Sequence, residues 1–137
     1  MKNIFITGGL GQDGQILSKK FLSKKKYQVF IISKKSPFRK IKIKNIKYIK
    51  INLLKKKKIE NIFKKNIPNT IVHLAANNPA YKEKSYKKFY KENILESKNL
   101  FLSSQKYNPK VKFIFTSSSQ IFKKQKGEVT ENSEKKI

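Results

Sequence analysis

The sequence predicts an α/β fold: an open, doubly wound sheet of about five parallel strands in the order 3-2-1-4-5, with helices on both faces. Three observations predict it. Apolar runs of strand length alternate with segments of helical spacing along nearly all of the 137 residues. The strand segments are mostly continuous apolar runs, as a sheet covered on both faces requires. The first run ends in glycines that lead into a helical segment and then a second run, a unit whose right-handed crossover makes the two strands parallel.

The elements follow in order. NIFIT (3–7) is a short buried strand ended by Gly8-Gly9. Residues 12–25 carry Ile16, Leu17, Phe21 and Leu22 at helical spacing. YQVFIIS (27–33) is the second strand and IKYIKIN (46–52) the third, joined through 34–44, the longest connection without a pattern of its own. Residues 55–66 set Ile59, Ile62 and Phe63 on one helix face. NTIVHLAA (69–76) is a fourth strand introduced by Pro68, and a long helix from about residue 85 to 107 is stopped by Asn108-Pro109. VKFIFTSS (111–118) is the fifth strand. No internal repeat or Gly/Ser linker divides the chain, so residues 1–137 are expected to form one domain.

The composition narrows the function. Cysteine is absent, which excludes disulfides and thiolate metal sites. No metal site is expected. No stretch approaches the roughly 20 apolar residues of a membrane-spanning helix, and the N-terminal apolar run is too short for a signal peptide. A cytoplasmic protein without membrane contact is expected. The net charge of +26 would suit a polyanion partner. However, Arg39 is the only arginine among 34 basic residues, the lysines are spread along the chain, and Ile, Asn and Phe are abundant while Trp is absent. That is the signature of AT-rich coding, and the residue best suited to bidentate reading of phosphates and bases is nearly missing. Nucleic acid is therefore expected only as a non-specific partner.

ITGGLGQDGQIL (6–17) is the most informative stretch. Gly8, Gly11 and Gly14 stand between a strand and an amphipathic helix with another strand beyond, the context a dinucleotide-phosphate loop needs. Gly8 permits a tight turn, Gly11 lets the backbone approach a pyrophosphate, and Gly14 lets the helix sit close to the strand. The free N–H groups and positive dipole of the helix N-terminus, at Gln12 and Asp13, face the phosphates.

The spacing T-G-x-x-G-x-x-G, from Thr7, resembles the extended short-chain dehydrogenase/reductase superfamily of nucleotide-sugar epimerases and dehydratases, and GQDG (11–14) resembles its GDP-mannose 4,6-dehydratase branch. PNTIVHLAANN (68–78) is similar to the family's P-D-x-I-x-x-L-A-A, ENILESKNLF (92–101) to V-N-x-x-G-T-x-N-L, and FTSSSQIF (115–122) to S-S-x-x-V-Y-G. The resemblance implies a Rossmann-like NAD(P)-binding domain, hydride transfer at a sugar carbon, nucleotide-sugar substrates and a possible homo-oligomer. Leu74, Ala75 and Ala76 are placed where the cofactor passes the fourth strand, Asn52 and Leu53 near the adenine, and Asn93 on the helix that orders the site. His73, inside the fourth strand, is read as a core residue.

An NAD site usually has a carboxylate at the end of the second strand to hold the ribose 2′-hydroxyl. Ser33, Lys34 and Lys35 stand there instead, and would attract a 2′-phosphate. NADP is favoured over NAD. The resemblance also implies that Ser118 hydrogen-bonds the reacting sugar oxygen, in partnership with a Tyr-x-x-x-Lys pair further on. No such pair occurs after Ser118 in the 137 residues. The dehydratases' Glu general base is replaced by Gln120, an amide that cannot take the proton. The expectation is a C-terminally truncated, catalytically incomplete chain that lacks the last strands and the sugar-nucleotide domain. The alternatives are a non-catalytic NADP(H)-binding module, or a basic nucleic-acid-binding protein that reuses the fold.

Overall fold

The structure is a computed structural model that describes residues 1–37, 43–76, 86–117, 121–123 and 126–135, without the side chains of residues 86, 87, 89 and 90. One sheet holds β1 (Lys2–Thr7), β2 (Tyr27–Ser33), β3 (Ile46–Lys50), β4 (Thr70–His73) and β5 (Lys112–Phe115). The helices α1 (Gln12–Leu22), α2 (Lys56–Lys65) and α3 (Tyr86–Tyr107) complete the described elements. The strands lie in the order β3-β2-β1-β4-β5, all neighbours parallel, as expected. Ile4 is level with Val29 on one side and Thr70 on the other, which makes β1 the centre of the sheet.

Successive side chains on a strand point to opposite faces, and both faces are covered. Phe5, Phe30 and Ile71 meet Ile59 and Phe63 of α2 and Leu100 of α3. Ile4, Ile6, Val29, Ile31 and Val72 meet Leu17, Phe21 and Leu22 of α1. Phe5 is the hub of the first cluster, stacked on Phe30 with ring centroids 4.3 Å apart and edge-on to Phe63 at 5.0 Å. Each such fully buried ring contributes about 1.5–3 kcal/mol.

Two differences from the sequence reading have local causes. Ile16 is exposed, and the inner face of α1 is Gly14, Leu17, Ser18 and Phe21. Small residues let α1 approach closely, and Ser18 Oγ–H is satisfied by the Gly14 carbonyl at 2.6 Å. The strands are also shorter than expected at their C-terminal ends, stopping at Lys50, His73 and Phe115. The β1–β4 register ends at Thr7 and His73, so residues 74–76 leave the ladder and turn over the top of the sheet. α3 ends where expected. Asn108 Nδ2 donates to the Pro68 carbonyl at 2.8 Å, tying the helix end to the approach of β4.

Candidate functional site

The chain reverses direction across the sheet between β1 and β4. Ligands of open α/β sheets bind at such a switch point, beyond the C-terminal ends of the strands. A cavity of about 360 Å3 lies there, lined by Gly8 and Gly11 of the loop after β1, Ser33, Lys34 and Lys35 after β2, Leu53, and Leu74, Ala75 and Ala76 after β4.

The loop explains its own glycines. Gly8 has φ +68°, and a Cβ on it would stand 3.0 Å from the Ala75 nitrogen. The turn and the passage of the β4 loop both need its bare backbone. A Cβ on Gly14 would collide with Gly9 Cα and come within 2.7 Å of the Gly8 carbonyl oxygen. At Gly14 the helix therefore packs against the loop backbone itself. Gly9, read from the sequence only as an end to the strand, is needed too, since a Cβ there would meet Ile31 Cγ2 at 2.6 Å. Gly11 is exposed, and its Cβ would meet only the Gly8 oxygen at 3.2 Å. Its missing side chain leaves room on the cavity side. No side chain caps α1, whose first turn holds the exposed Gln12 and Asp13.

A buried polar chain braces the floor. The Ala75 N–H donates to Thr7 Oγ1 at 3.1 Å, and Thr7 Oγ1 lies 2.6 Å from His73 Nδ1. His73 Nε2 lies 2.9 Å from Ser97 Oγ, whose proton goes to the Asn93 carbonyl at 2.8 Å. With the Ser97 proton committed, His73 Nε2–H must donate and Nδ1 must accept from Thr7. The imidazole is therefore neutral, and its burial lowers the pKa from 6.5 to about 4. His73 is a core residue, as its place in a strand suggested, but one that joins β1, β4 and α3.

The other expected residues fall around this floor. Leu53 is buried, and its carbonyl accepts from Asn99 Nδ2 of α3 at 3.1 Å. Asn52 is exposed beside the cavity, with its Oδ1 holding the Leu54 N–H at 2.9 Å. Asn93 is half-buried on α3. Ser33 Oγ accepts from the Lys35 N–H at 3.1 Å. Ser118 and Gln120 lie outside the described residues.

Sequence reasoning missed Glu96. It is 2% exposed, lines the cavity from α3, and sets Oε1 2.7 Å from Lys34 Nζ. That oxygen is itself buried, and the Lys34 ammonium is its partner of charge. The signal was present. Aligned on Asn93 and Asn99, Glu96 stands where the motif V-N-x-x-G-T-x-N-L has its Gly.

The fold and the glycine-floored cavity define a Rossmann-like dinucleotide-binding domain. The model of the NAD dependent epimerase/dehydratase family matches residues 4–136, and the chain belongs to that family. It carries the family's NAD(P)-binding module. Among solved structures it is similar to UDP-glucose 4-epimerase of Thermotoga maritima, with UDP-glucose (28% identity, TM-score 0.72, 93% of this chain and 41% of that one). It is also similar to UDP-Glc/GlcNAc 4-epimerase of Campylobacter jejuni (24%, 0.81, 97% and 42%). The Thermus thermophilus UDP-glucose 4-epimerase, in complex with NAD, shares the fold (20%, 0.81, 98% and 44%). The chain thus spans about two-fifths of these relatives' length. It matches none of the curated proteins. Among the described residues no helix is long and apolar enough to cross a membrane.

Proposed function

We propose that the chain binds NADP in preference to NAD, and that it does so in the service of hydride transfer at a carbon of a nucleotide sugar. The carrying observation is the open cradle at Gly8 and Gly11 under the uncapped start of α1. A pyrophosphate would rest on that backbone and accept from the N–H groups of the first helical turn. Ser33, Lys34 and Lys35 would meet the adenosine ribose, Leu53 the adenine, and Ala75 and Ala76 are small where the dinucleotide must pass β4. The NADP preference rests on two lysines and a serine where an NAD site has a carboxylate. A second, smaller cleft of about 90 Å3 supports it: Ser33 and Lys35 line this cleft too, together with Ser36 and Lys50.

When bound, the dinucleotide supplies the hydride acceptor and donor. The chain's own part is to hold it and, through Ser118, to orient the sugar oxygen. We read these residues as the part of the reaction that binds the dinucleotide and orients the sugar. Gln120 favours an epimerase or reductase over a dehydratase. The nucleotide-sugar class is supported by the Thermotoga relative, whose structure holds UDP-glucose. A cytoplasmic setting and purely non-specific contact with nucleic acid complete the reading.

Gly11→Val tests it. The backbone at Gly11 has φ −75°, which valine accepts, and the added Cβ meets only one carbonyl oxygen. The variant is expected to keep its fold by circular dichroism and to lose at least tenfold in dinucleotide affinity by calorimetry, about 1.4 kcal/mol. A folded variant with unchanged affinity refutes the phosphate cradle.

A further inference from the structure

The two lysines after β2 are not equivalent. Lys34 reaches back into the cavity to the buried carboxylate of Glu96, 2.7 Å away. Lys35 is exposed and lines the smaller cleft with Lys50, and among the described residues neither carries an ion pair. The charge of Lys34 is therefore offset by a carboxylate on the far wall of the same cavity, whereas the cleft keeps its positive charge.

Glu96 has a second property. It is held by packing at 2% exposure, it lines the cavity, and its buried Oε1 keeps a negative charge beside the Lys34 ammonium. A buried carboxylate in that place repels a ligand phosphate that enters the cavity and weakens the pull of Lys34 on it. Desolvation strengthens this charge effect, because the cavity wall screens less than water.

We propose that Glu96 is a specificity-determining residue of the dinucleotide site. By holding Lys34 and keeping a negative charge in the cavity wall, it restrains the preference for the 2′-phosphorylated dinucleotide. The 2′-phosphate is then left to the cleft of Ser33, Lys35, Ser36 and Lys50. The inference rests on the dinucleotide-binding reading above and refines it: two opposed determinants, one on the β2 loop and one on α3, set the balance between NADP and NAD.

The test is calorimetric titration of the 137-residue chain with NADP+ and NAD+ at one fixed ionic strength. Glu96→Gln keeps the shape of the side chain and removes its charge. The ratio of NADP to NAD affinity is expected to rise roughly three- to tenfold, the effect of one partly screened charge at the distance of a neighbouring group. Glu96→Leu, suited to a buried helical position, is expected to move the ratio the same way and serves if the amide disturbs the fold. Lys50→Ala is expected to lower the ratio, because it removes a cation from the cleft. General affinity of a basic chain for anions divides out, since every variant is compared at the same salt. A ratio that stays constant or falls in both Glu96 variants overturns the proposal while leaving dinucleotide binding intact. A wild-type chain that binds neither dinucleotide overturns the reading beneath it.

Discussion

His73 shows how one residue can tie a site together without chemistry of its own. Its ring is neutral in the folded chain because burial disfavours the charged form, and the neutral ring accepts from Thr7 at one nitrogen and donates to Ser97 from the other. Its folded pKa, about 4, lies below the ordinary value of 6.5. Between those values the unfolded chain binds a proton that the folded chain does not. Stability from this residue is therefore complete above pH 6.5 and is lost as pH falls toward 4, by about 1.4 kcal/mol per unit. The expected outcome is a melting temperature that falls more steeply between these pH values in the wild type than in His73→Asn. Carboxylates contribute equally to both proteins, so the difference in slope isolates the histidine. Parallel slopes would contradict the neutral, buried assignment.

At the scale of elements, α3 braces the site from behind its loops. Its Asn99 side chain holds the Leu53 carbonyl at 3.1 Å, which fixes the loop between β3 and α2 against the cavity. Asn99→Ala removes the donor and leaves that carbonyl without it, at a cost of about 1–3 kcal/mol. Dinucleotide affinity is expected to fall as well, because Leu53 is no longer held. Denaturant unfolding and titration would check both losses, and an effect on stability alone would separate Leu53 from the site. The elements themselves were legible in the sequence because parallel strands buried on both faces leave unbroken apolar runs, and Gly-Gly and Asn-Pro mark the ends of β1 and α3. Ser18 on the inner face of α1 was not, because it is buried for its smallness and carries no apolar signal. Nor was the pairing of Lys34 with Glu96. It joins residues 62 apart in the chain (96 − 34), and no local pattern encodes a contact between a strand end and a distant helix.

Across the whole molecule, charge and sheet geometry oppose each other. The net charge of +26 repels a second copy at low salt. At the same time β5 pairs only with β4 among the described strands, and Ile114 and Phe115 on it are 39% and 57% exposed. A strand with open backbone groups and apolar side chains is a template for another strand. Salt screens the repulsion beyond about 8 Å at physiological strength, while strand pairing acts at contact. The 137-residue chain is therefore expected to associate as salt is raised, and Phe115→Lys to reduce that association at little cost to the fold. Light scattering against salt concentration would check it. A wild-type monomer at every salt concentration would show that the β5 edge is protected.

The central place of β1 also sets an order in time. Ile4 sits beside Thr70, 66 residues along the chain (70 − 4). Closing so wide a loop costs entropy before the ladder returns any of it. On a ribosome adding roughly 5–20 residues per second, the first strand made waits several seconds for its second neighbour. Through that interval its apolar residues must be shielded by the elements made before β4, first α1 and β2 and then α2, whose Phe63 covers Phe5, and the lysines between them keep the nascent chain in solution while it waits.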